Sequence, residues 1–222
     1  MRKIPLINEE IYHIFNRGVD KRDIFSTDSD MDRFLMSMKY FNTKKPIQSI
    51  YLIEFQKNKD QLESGLNPLV EIISYCILPN HFHFILKQKV TGGISEFMKR
   101  LSGGYTNYFN EKQKRSGSLF QGRFKSIHVD KDDYLSVLLG YVNYNDFIHS
   151  IPNSRKHFVY SSIKEIETEK YHLLNKKNTL KFILEKFGSV QSFQKHCKDI
   201  AEIIKAQRAN EIIPEGYLFD IL

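Results

Sequence analysis

The sequence is poor in cysteine and has no long apolar run. Its 222 residues include only two cysteines, Cys76 and Cys197, which cannot form a disulfide framework or a zinc ribbon. No stretch approaches the ~18 apolar residues that a membrane span needs. The basic N-terminus is not followed by an apolar signal region. We therefore expect a cytoplasmic protein with reduced thiols and no membrane contact.

The sequence also lacks internal repeats and low-complexity tracts. Hydrophobic residues make up 41% of the chain, which is enough for one good core with a smaller appendage. The formal net charge is +7 at pH 7. This excess favours a polyanionic partner such as nucleic acid, although weakly, because many basic proteins bind none.

The hydrophobic periodicity predicts an α+β fold. Strands are predicted over 10–18, 70–78, 81–90 and 119–129, and helices begin near residues 28, 94 and 130. A further short strand is predicted over 50–55, followed by an exposed excursion over 56–68. Without this extra strand the first six elements follow the order βαββαβ. This is the ferredoxin-like split βαβ arrangement, an antiparallel sheet with helices on one face, to which one helix is added.

Capping residues predict where two of the helices begin. The segment 27–30 opens the first helix with capping residues and acidic side chains in the first turn. Asp130 is predicted to cap the third helix, with Asp133 in a position that resembles a capping box.

The character of the chain changes after Pro152. Residues 161–222 hold Lys/Glu-rich amphipathic segments, with helices expected around 179–187 and 192–209. We interpret them as a helical C-terminal appendage to a main domain over 1–160, packed on that domain or contacting nucleic acid. No chemistry is visible in the appendage.

The most informative stretch is the predicted strand that follows the Pro79-Asn80 turn. Side chains alternate between the two faces of a strand, so His81 and His83 share one face, while Phe82 and Phe84 point into the core on the other. The two imidazoles are within reach of one metal ion. The alternative is a pair of half-buried histidines with ordinary hydrogen bonds.

A second set of side chains lies on the added helix. Tyr141 and Asn145 are four residues apart and therefore lie one above the other, and Tyr134 shares their face. A phenol nucleophile beside a neutral oxygen ligand would complete a site with the two histidines. A packing role is the alternative for each tyrosine, and His13, on the first strand, is interpreted as a packing residue outside the site.

Two imidazoles and an amide oxygen would make a partly open metal site. Mg²⁺ or Mn²⁺ acting on phosphate fits this set better than structural zinc, which prefers four closed ligands. Attack of a phenol on a phosphodiester gives a phosphotyrosine and releases a sugar hydroxyl. That bond conserves the energy of the cleaved linkage, so a second hydroxyl can reseal the strand without ATP.

Basic side chains supply candidate contacts to nucleic acid. The helix over 94–115 interleaves basic and aromatic residues, a mixture that can bind a phosphate backbone and stack on bases. A solvated helix face is the alternative. The candidates chosen from charge and placement near strand ends are Arg17, Arg100, Arg123 and Lys125.

Three motifs together resemble one family of DNA-processing enzymes. They are Leu-Pro-Asn-His-Phe-His (78–83), Leu-Phe-Gln-Gly-Arg-Phe-Lys-Ser (119–126) and Tyr-Val-x-x-Asn (141–145). In this order and spacing they resemble the transposases of the IS200/IS605 type, and more closely the REP-associated tyrosine transposases. The resemblance covers about residues 10–160.

The resemblance implies a fold, a chemistry and a set of roles. Members of this family are HUH single-strand DNA nucleases with a ferredoxin-like fold, which use one tyrosine and a divalent metal to cut and rejoin DNA near imperfect hairpins. It implies that His81 and His83 are metal ligands and that Tyr141 forms a 5′-phosphotyrosine. Asn145 takes the position of the third metal ligand.

The sequence departs from the family pattern in three places. Asp146 stands where this branch commonly has proline, and Asn145 stands where the insertion-sequence branch often has glutamine. The segment 46–69 is longer than expected. The resemblance leaves the oligomeric state open, because insertion-sequence relatives are dimers and REP-associated relatives are compatible with monomers.

Two other functions remain open at this stage. A hairpin-binding regulator that does not cleave DNA would use the basic helix equally well. A metal-dependent phosphoesterase would use water as its nucleophile and leave Tyr141 with a structural role only.

Overall fold

A five-stranded antiparallel sheet forms the centre of the fold. The computed structural model describes residues 5–47, 49–50 and 67–210. Among these residues the α-helices and strands begin with β1 (Ile11–Arg17), α1 (Asp28–Phe41), β2 (Val70–Leu78), β3 (His81–Gln88), α2 (Gly93–Lys112), β4 (Lys125–Val129) and α3 (Asp132–Asn143). They are followed by α4 (Asn145–Ile148), β5 (Tyr160–Ser161), α5 (Ser162–Thr168), α6 (Lys176–Phe187) and α7 (Val190–Ala209). Within this described part of the chain, no helix is both long and apolar enough to cross a membrane.

The strand order confirms the ferredoxin-like prediction. The strands lie in the order β4-β1-β3-β2-β5, and each neighbouring pair is antiparallel. β3 therefore lies between β1 and β2, which α1 connects, and this is the split βαβ arrangement. β5 adds a short strand at the β2 edge. The predicted strand over 50–55 and the excursion over 56–68 lie almost entirely outside the described residues.

Helices cover both faces of the sheet. On one face Phe34 of α1 packs against Phe82 of β3, with ring centroids 5.7 Å apart, and against Tyr105 of α2 at 5.0 Å. On the other face Tyr141 of α3 packs edge-on against His83, with centroids 5.2 Å apart. The strand alternation thus sends phenylalanines to α1 and α2 and histidines to α3, as the sequence predicts.

The predicted helix starts have different outcomes. Thr27 and Asp30 form a full capping box at the start of α1, because each side chain accepts a hydrogen bond from the other residue's backbone N–H. The predicted cap at Asp130 is wrong. α3 begins at Asp132 after Lys131, which makes no side-chain capping bond. Acidic side chains in the first turn still complement the helix dipole there.

The strand predicted over 119–129 is shorter than expected. β4 begins only at Lys125, and the preceding residues form a loop in which Gly122 has φ +78°. This loop is held against the end of β1, since Gln121 N donates to Arg17 O at 2.8 Å. The glycine allows the turn because it has no Cβ to clash at positive φ.

The C-terminal helix α7 packs closely on α3. A Cβ at Gly140 would lie 2.6 Å from Ile200 Cβ and 3.0 Å from the carbonyl oxygen of Cys197. His196 Nε2 lies 2.9 Å from Ser136 Oγ across the same interface. The absence of a side chain at Gly140 therefore sets how near α7 comes to the helix that carries Tyr141. The division of the chain at residue 160 stays a prediction.

Candidate active site

The two strand histidines and the helix tyrosine meet at one small cavity. His81 and His83 are 8% and 5% exposed, and their ring centroids are 5.2 Å apart. Together with Tyr141 they line a cavity of about 180 Å³. The β3 alternation directs both imidazoles towards α3, and packing of α3 on the sheet brings the phenol to them.

His81 and Asn145 face each other with their lone pairs. His81 Nδ1 donates to Asn80 Oδ1 at 2.6 Å, and the amide of Asn80 is oriented because its Nδ2 donates to Lys21 O at 3.1 Å. A neutral imidazole has a single N–H, so His81 Nε2 then carries a lone pair. This nitrogen lies 3.2 Å from Asn145 Oδ1. Asn145 Nδ2 donates to Tyr141 O at 3.4 Å, which turns Oδ1 towards the histidine.

His83 is oriented by a third histidine. His13 Nε2 lies 2.9 Å from His83 Nδ1, and the two rings stack with centroids 5.1 Å apart. This hydrogen bond occupies Nδ1 of His83 and leaves Nε2 for a ligand. His13 is fully buried, so the expectation that it packs in the core is correct. His13 does not line the cavity, but it contacts His83 directly.

The protein environment keeps the three histidines neutral. Burial lowers the pKa of His13 to about 3. Burial, with smaller contributions from His149 and Arg17, lowers the pKa of His81 to about 3. Burial, followed by the charge of His13, also holds the pKa of His83 well below its usual range. Neutral imidazoles are the form that binds metal ions.

Tyr141 is a buried phenol with a cation beside it. The residue is 3% exposed, and its ring is edge-on to His83 at 5.2 Å. Burial raises the pKa of Tyr141, and this is opposed by the charge of Arg208 and by hydrogen bonds from Asn145 and Arg208. Tyr134, the other candidate on this helix face, does not line the cavity, and burial raises its pKa to about 12.

The donor set fits a partly open site for a hard divalent ion. Two ligands at right angles on an octahedral Mg²⁺ with bonds of ~2.1 Å are ~3 Å apart, close to the 3.2 Å between His81 Nε2 and Asn145 Oδ1. A cation there would also remove the repulsion between the facing lone pairs. Among the described residues no group of three or more His, Cys, Asp or Glu side chains is placed to hold a metal. The candidate metal ligands are two histidines and one amide, which leaves coordination positions on the ion open for substrate oxygens.

Comparisons with known proteins find one matching family model and similar solved structures. Residues 64–145 match the model of the family described as "Transposase IS200 like". The resemblance to IS200-like transposases is confirmed. A solved structure described as a REP-associated tyrosine transposase bound to a REP hairpin is similar at 13% sequence identity, with a TM-score of 0.45, over 77% of this chain and 87% of that chain. No curated protein matches the chain.

The region that matches the IS200-like family contains His81, His83, Lys125, Tyr141 and Asn145, whereas Arg17 lies outside it. Arg17 lies directly opposite His81 in the β1–β3 register and lines the cavity. Lys125, at the start of β4, also lines it and lies 5.8 Å from the ring centroid of Phe15. Both residues were predicted from the sequence to contact DNA, and that contact stays a prediction.

The other two predicted DNA contacts do not join this cluster. Arg100 lies on α2, where its Nε donates to Glu96 at 2.8 Å and its Nη1 to Thr43 O at 2.6 Å. These bonds orient the side chain away from the cluster, and a DNA contact at Arg100 stays a prediction. Arg123 is exposed in the loop that precedes β4 and does not line the cavity. A DNA contact at Arg123 stays a prediction.

Sequence reasoning missed two further residues that contact the candidate active site. The ring of His149 lies 5.1 Å from that of His81, one helical turn beyond Asn145, so the helical spacing that found Asn145 could have found it. Arg208 comes from α7, and its Cζ lies 5.8 Å from the ring centroid of Tyr141. No local pattern indicates Arg208, because its position depends on how α7 packs.

Proposed function

We propose that the protein is a single-strand DNA endonuclease and strand transferase of the transposase type, which cuts near DNA hairpins. The observation that supports it most strongly is the meeting of Tyr141, His81 and His83 at one cavity inside the region that matches the IS200-like family. The preference for hairpins rests on the three sequence motifs that resemble the REP-associated branch.

The reaction is a transfer of a phosphoryl group to the tyrosine. The phenol oxygen of Tyr141 attacks the phosphorus of a DNA phosphodiester as the phenol loses its proton. The bond from phosphorus to the 3′ oxygen breaks, the 3′ hydroxyl leaves with a proton, and the 5′ phosphate stays on the tyrosine. Attack by another 3′ hydroxyl reverses these steps and reseals a strand without ATP.

The residues around the phenol have separate roles in this proposal. His81, His83 and Asn145 would hold Mg²⁺ or Mn²⁺, which when bound polarises a phosphoryl oxygen and neutralises developing charge. His13 orients His83 through their 2.9 Å hydrogen bond. Arg17 and Lys125 bind the phosphates that flank the cleaved bond, through charge-assisted contacts that hold the strand in the cavity.

One chain supplies the complete constellation. Tyr141 on α3 packs on His83 of the same chain, and Asn145, the first residue of α4, reaches His81. We therefore propose that cleavage occurs within one subunit, whether the protein acts as a monomer or as a homodimer. An assembly that shared tyrosines between subunits would need α3 to leave the face of the sheet on which it packs.

The experiment is a denaturing gel of protein mixed with labelled single-stranded DNA hairpins from its own genomic flanks. With Mn²⁺ we expect a band at the mass of protein plus DNA, absent with EDTA and absent for Tyr141→Phe. Tyr134→Phe is the matched control and should retain the band. Cleavage without an adduct would instead identify a phosphoesterase that uses water. Native binding without cleavage would identify a hairpin-binding regulator.

A further inference from the structure

The last turn of α7 places a guanidinium in the candidate active site. Arg208 lines the same cavity as Tyr141 and His81. Its Cζ is 5.8 Å from the ring centroid of Tyr141, and its Nη1 is 3.3 Å from Nε2 of His149. A side chain from the C-terminal segment, in which the sequence shows no chemistry, thus contacts the residue proposed as the nucleophile.

Packing of α7 on α3 fixes this position. Cys197, Ala201 and Ile204 form the buried face of α7 and are at most 4% exposed. The close approach at Gly140 then sets the distance between the two helices. Arg208 lies one turn beyond Ile204 on the same face, so the helix interface directs its side chain towards α3 and the cavity.

The guanidinium has no anionic partner in the part of the chain that the structure describes. No described carboxylate forms an ion pair with Arg208, and its buried Nε has no hydrogen-bond partner among the described residues. The same holds for the buried Nε of Arg17, which borders the cavity from β1. Lys125 adds a third positive charge. A small cavity bordered by three cations is suited to an anion the size of a phosphate.

We propose that Arg208 is a catalytic residue that binds the non-bridging oxygens of the phosphate attacked by Tyr141. This inference rests on the proposed function and extends it to the C-terminal helix. A planar guanidinium can donate two parallel hydrogen bonds to a phosphate, which a lysine cannot do. Charge on these oxygens grows as the phenol attacks, so the contact strengthens in the transition state. The nuclease therefore includes α7 as well as the sheet and α3.

The experiment compares Arg208→Ala and Arg208→Lys with Lys198→Ala, an exposed position on the same helix. Single-turnover adduct formation is measured with the labelled hairpin and Mn²⁺. We expect Arg208→Ala to slow adduct formation about 100-fold. Arg208→Lys should slow it less, because lysine keeps the positive charge but lacks the two parallel N–H donors of the guanidinium. Added guanidinium ion should restore part of the rate in Arg208→Ala but not in Tyr141→Phe. Lys198→Ala should match the unsubstituted protein.

Binding of the same hairpin in EDTA gives a second readout that does not need cleavage. Loss of one phosphate contact should reduce the slope of log affinity against log salt by about 0.7 for a single strand. If Arg208→Ala changes neither this slope nor the adduct rate, the inference is wrong. A changed slope with an unchanged rate would also overturn it, since Arg208 would then bind DNA without taking part in catalysis. If the unsubstituted protein forms no adduct, the proposed nuclease function fails. The binding assay still tests the phosphate contact in that case, because an unchanged salt slope in Arg208→Ala would refute it.

The Arg208→Lys variant keeps the test informative if Arg208→Ala does not fold. Both variants should keep the melting temperature of the unsubstituted protein, because the side chain is only partly buried at the end of α7. A rate loss in Arg208→Lys with an unchanged melting temperature supports the inference even where Arg208→Ala is unstable.

Discussion

His13 Nε2 lies 2.9 Å from His83 Nδ1, so β1 supports the face of β3 that carries the candidate metal ligands through a buried pair of imidazoles. Such partners orient a ligand and fix its tautomer, and their loss typically weakens metal affinity 10–100-fold. We therefore expect His13→Ala to weaken Mn²⁺ binding at least about tenfold in titration calorimetry. His128→Ala is the matched control, because His128 is an exposed histidine on the neighbouring strand β4. Equal Mn²⁺ affinities in the two variants would remove His13 from the site.

Asn145 offers a test of the metal site that does not depend on DNA. Its Oδ1 faces the bare Nε2 of His81 at 3.2 Å. Asn145→Asp would place a carboxylate there, which is a better ligand for Mn²⁺ but is costly to bury without the ion. We expect this variant to melt at a lower temperature than the unsubstituted protein in EDTA. Its melting temperature should rise more when Mn²⁺ is added. Asn145→Leu should lose the Mn²⁺ response. A melting temperature that Mn²⁺ shifts equally in all three proteins would place the ion elsewhere.

The buried histidines make stability depend on pH. Burial lowers the pKa of His13 and of His81 to about 3 in the folded protein, from 6.5 in an exposed chain. Between these values the unfolded state binds more protons, so stability is full above pH 6.5 and falls as the pH falls. When the pH falls from 7.5 to 5, one such histidine should lower the free energy of unfolding by about 2 kcal/mol.

Urea unfolding in EDTA at the two pH values measures this loss. His81→Gln should reduce the pH dependence, because the unfolded state then loses one proton-binding group. An unfolding free energy equal at pH 7.5 and 5 would contradict buried neutral histidines.

Local patterns in the sequence determine much of this fold and half of the site. A two-residue period orients His81 and His83, and a four-residue spacing places Asn145 above Tyr141, because side-chain direction follows directly from backbone geometry. The same period places His13 and Arg17 on one face of β1. The period does not predict the contact between His13 and His83, because it cannot show which neighbour a buried histidine contacts.

Other features depend on contacts that no local pattern contains. β4 is shorter than its β-branched and aromatic residues suggest, because the pairing with β1 is interrupted around Gly122 and resumes only as an isolated antiparallel bridge between Gly18 and Phe120. Arg100 was predicted from its charge to contact DNA, and the sequence does not show that Glu96 and the Thr43 carbonyl accept hydrogen bonds from it. Arg208 reaches Tyr141 only through the packing of α7 on α3, which involves residues far apart in the sequence.

The contact between α3 and α7 can be tested at Gly140, where the two helices come closest. An added Cβ would lie 2.6 Å from Ile200 Cβ and 3.0 Å from Cys197 O. Gly140→Ala must therefore push α7 away, and overpacking of this kind costs about 1–3 kcal/mol. The control is Gly103→Ala within α2, where nothing lies within 4 Å and alanine should stabilise the helix by about 1 kcal/mol. Urea unfolding measures both changes. Because the shift also displaces Arg208, Gly140→Ala should slow adduct formation under conditions where it remains folded, and an unchanged rate would show that cleavage does not need the close approach of α7.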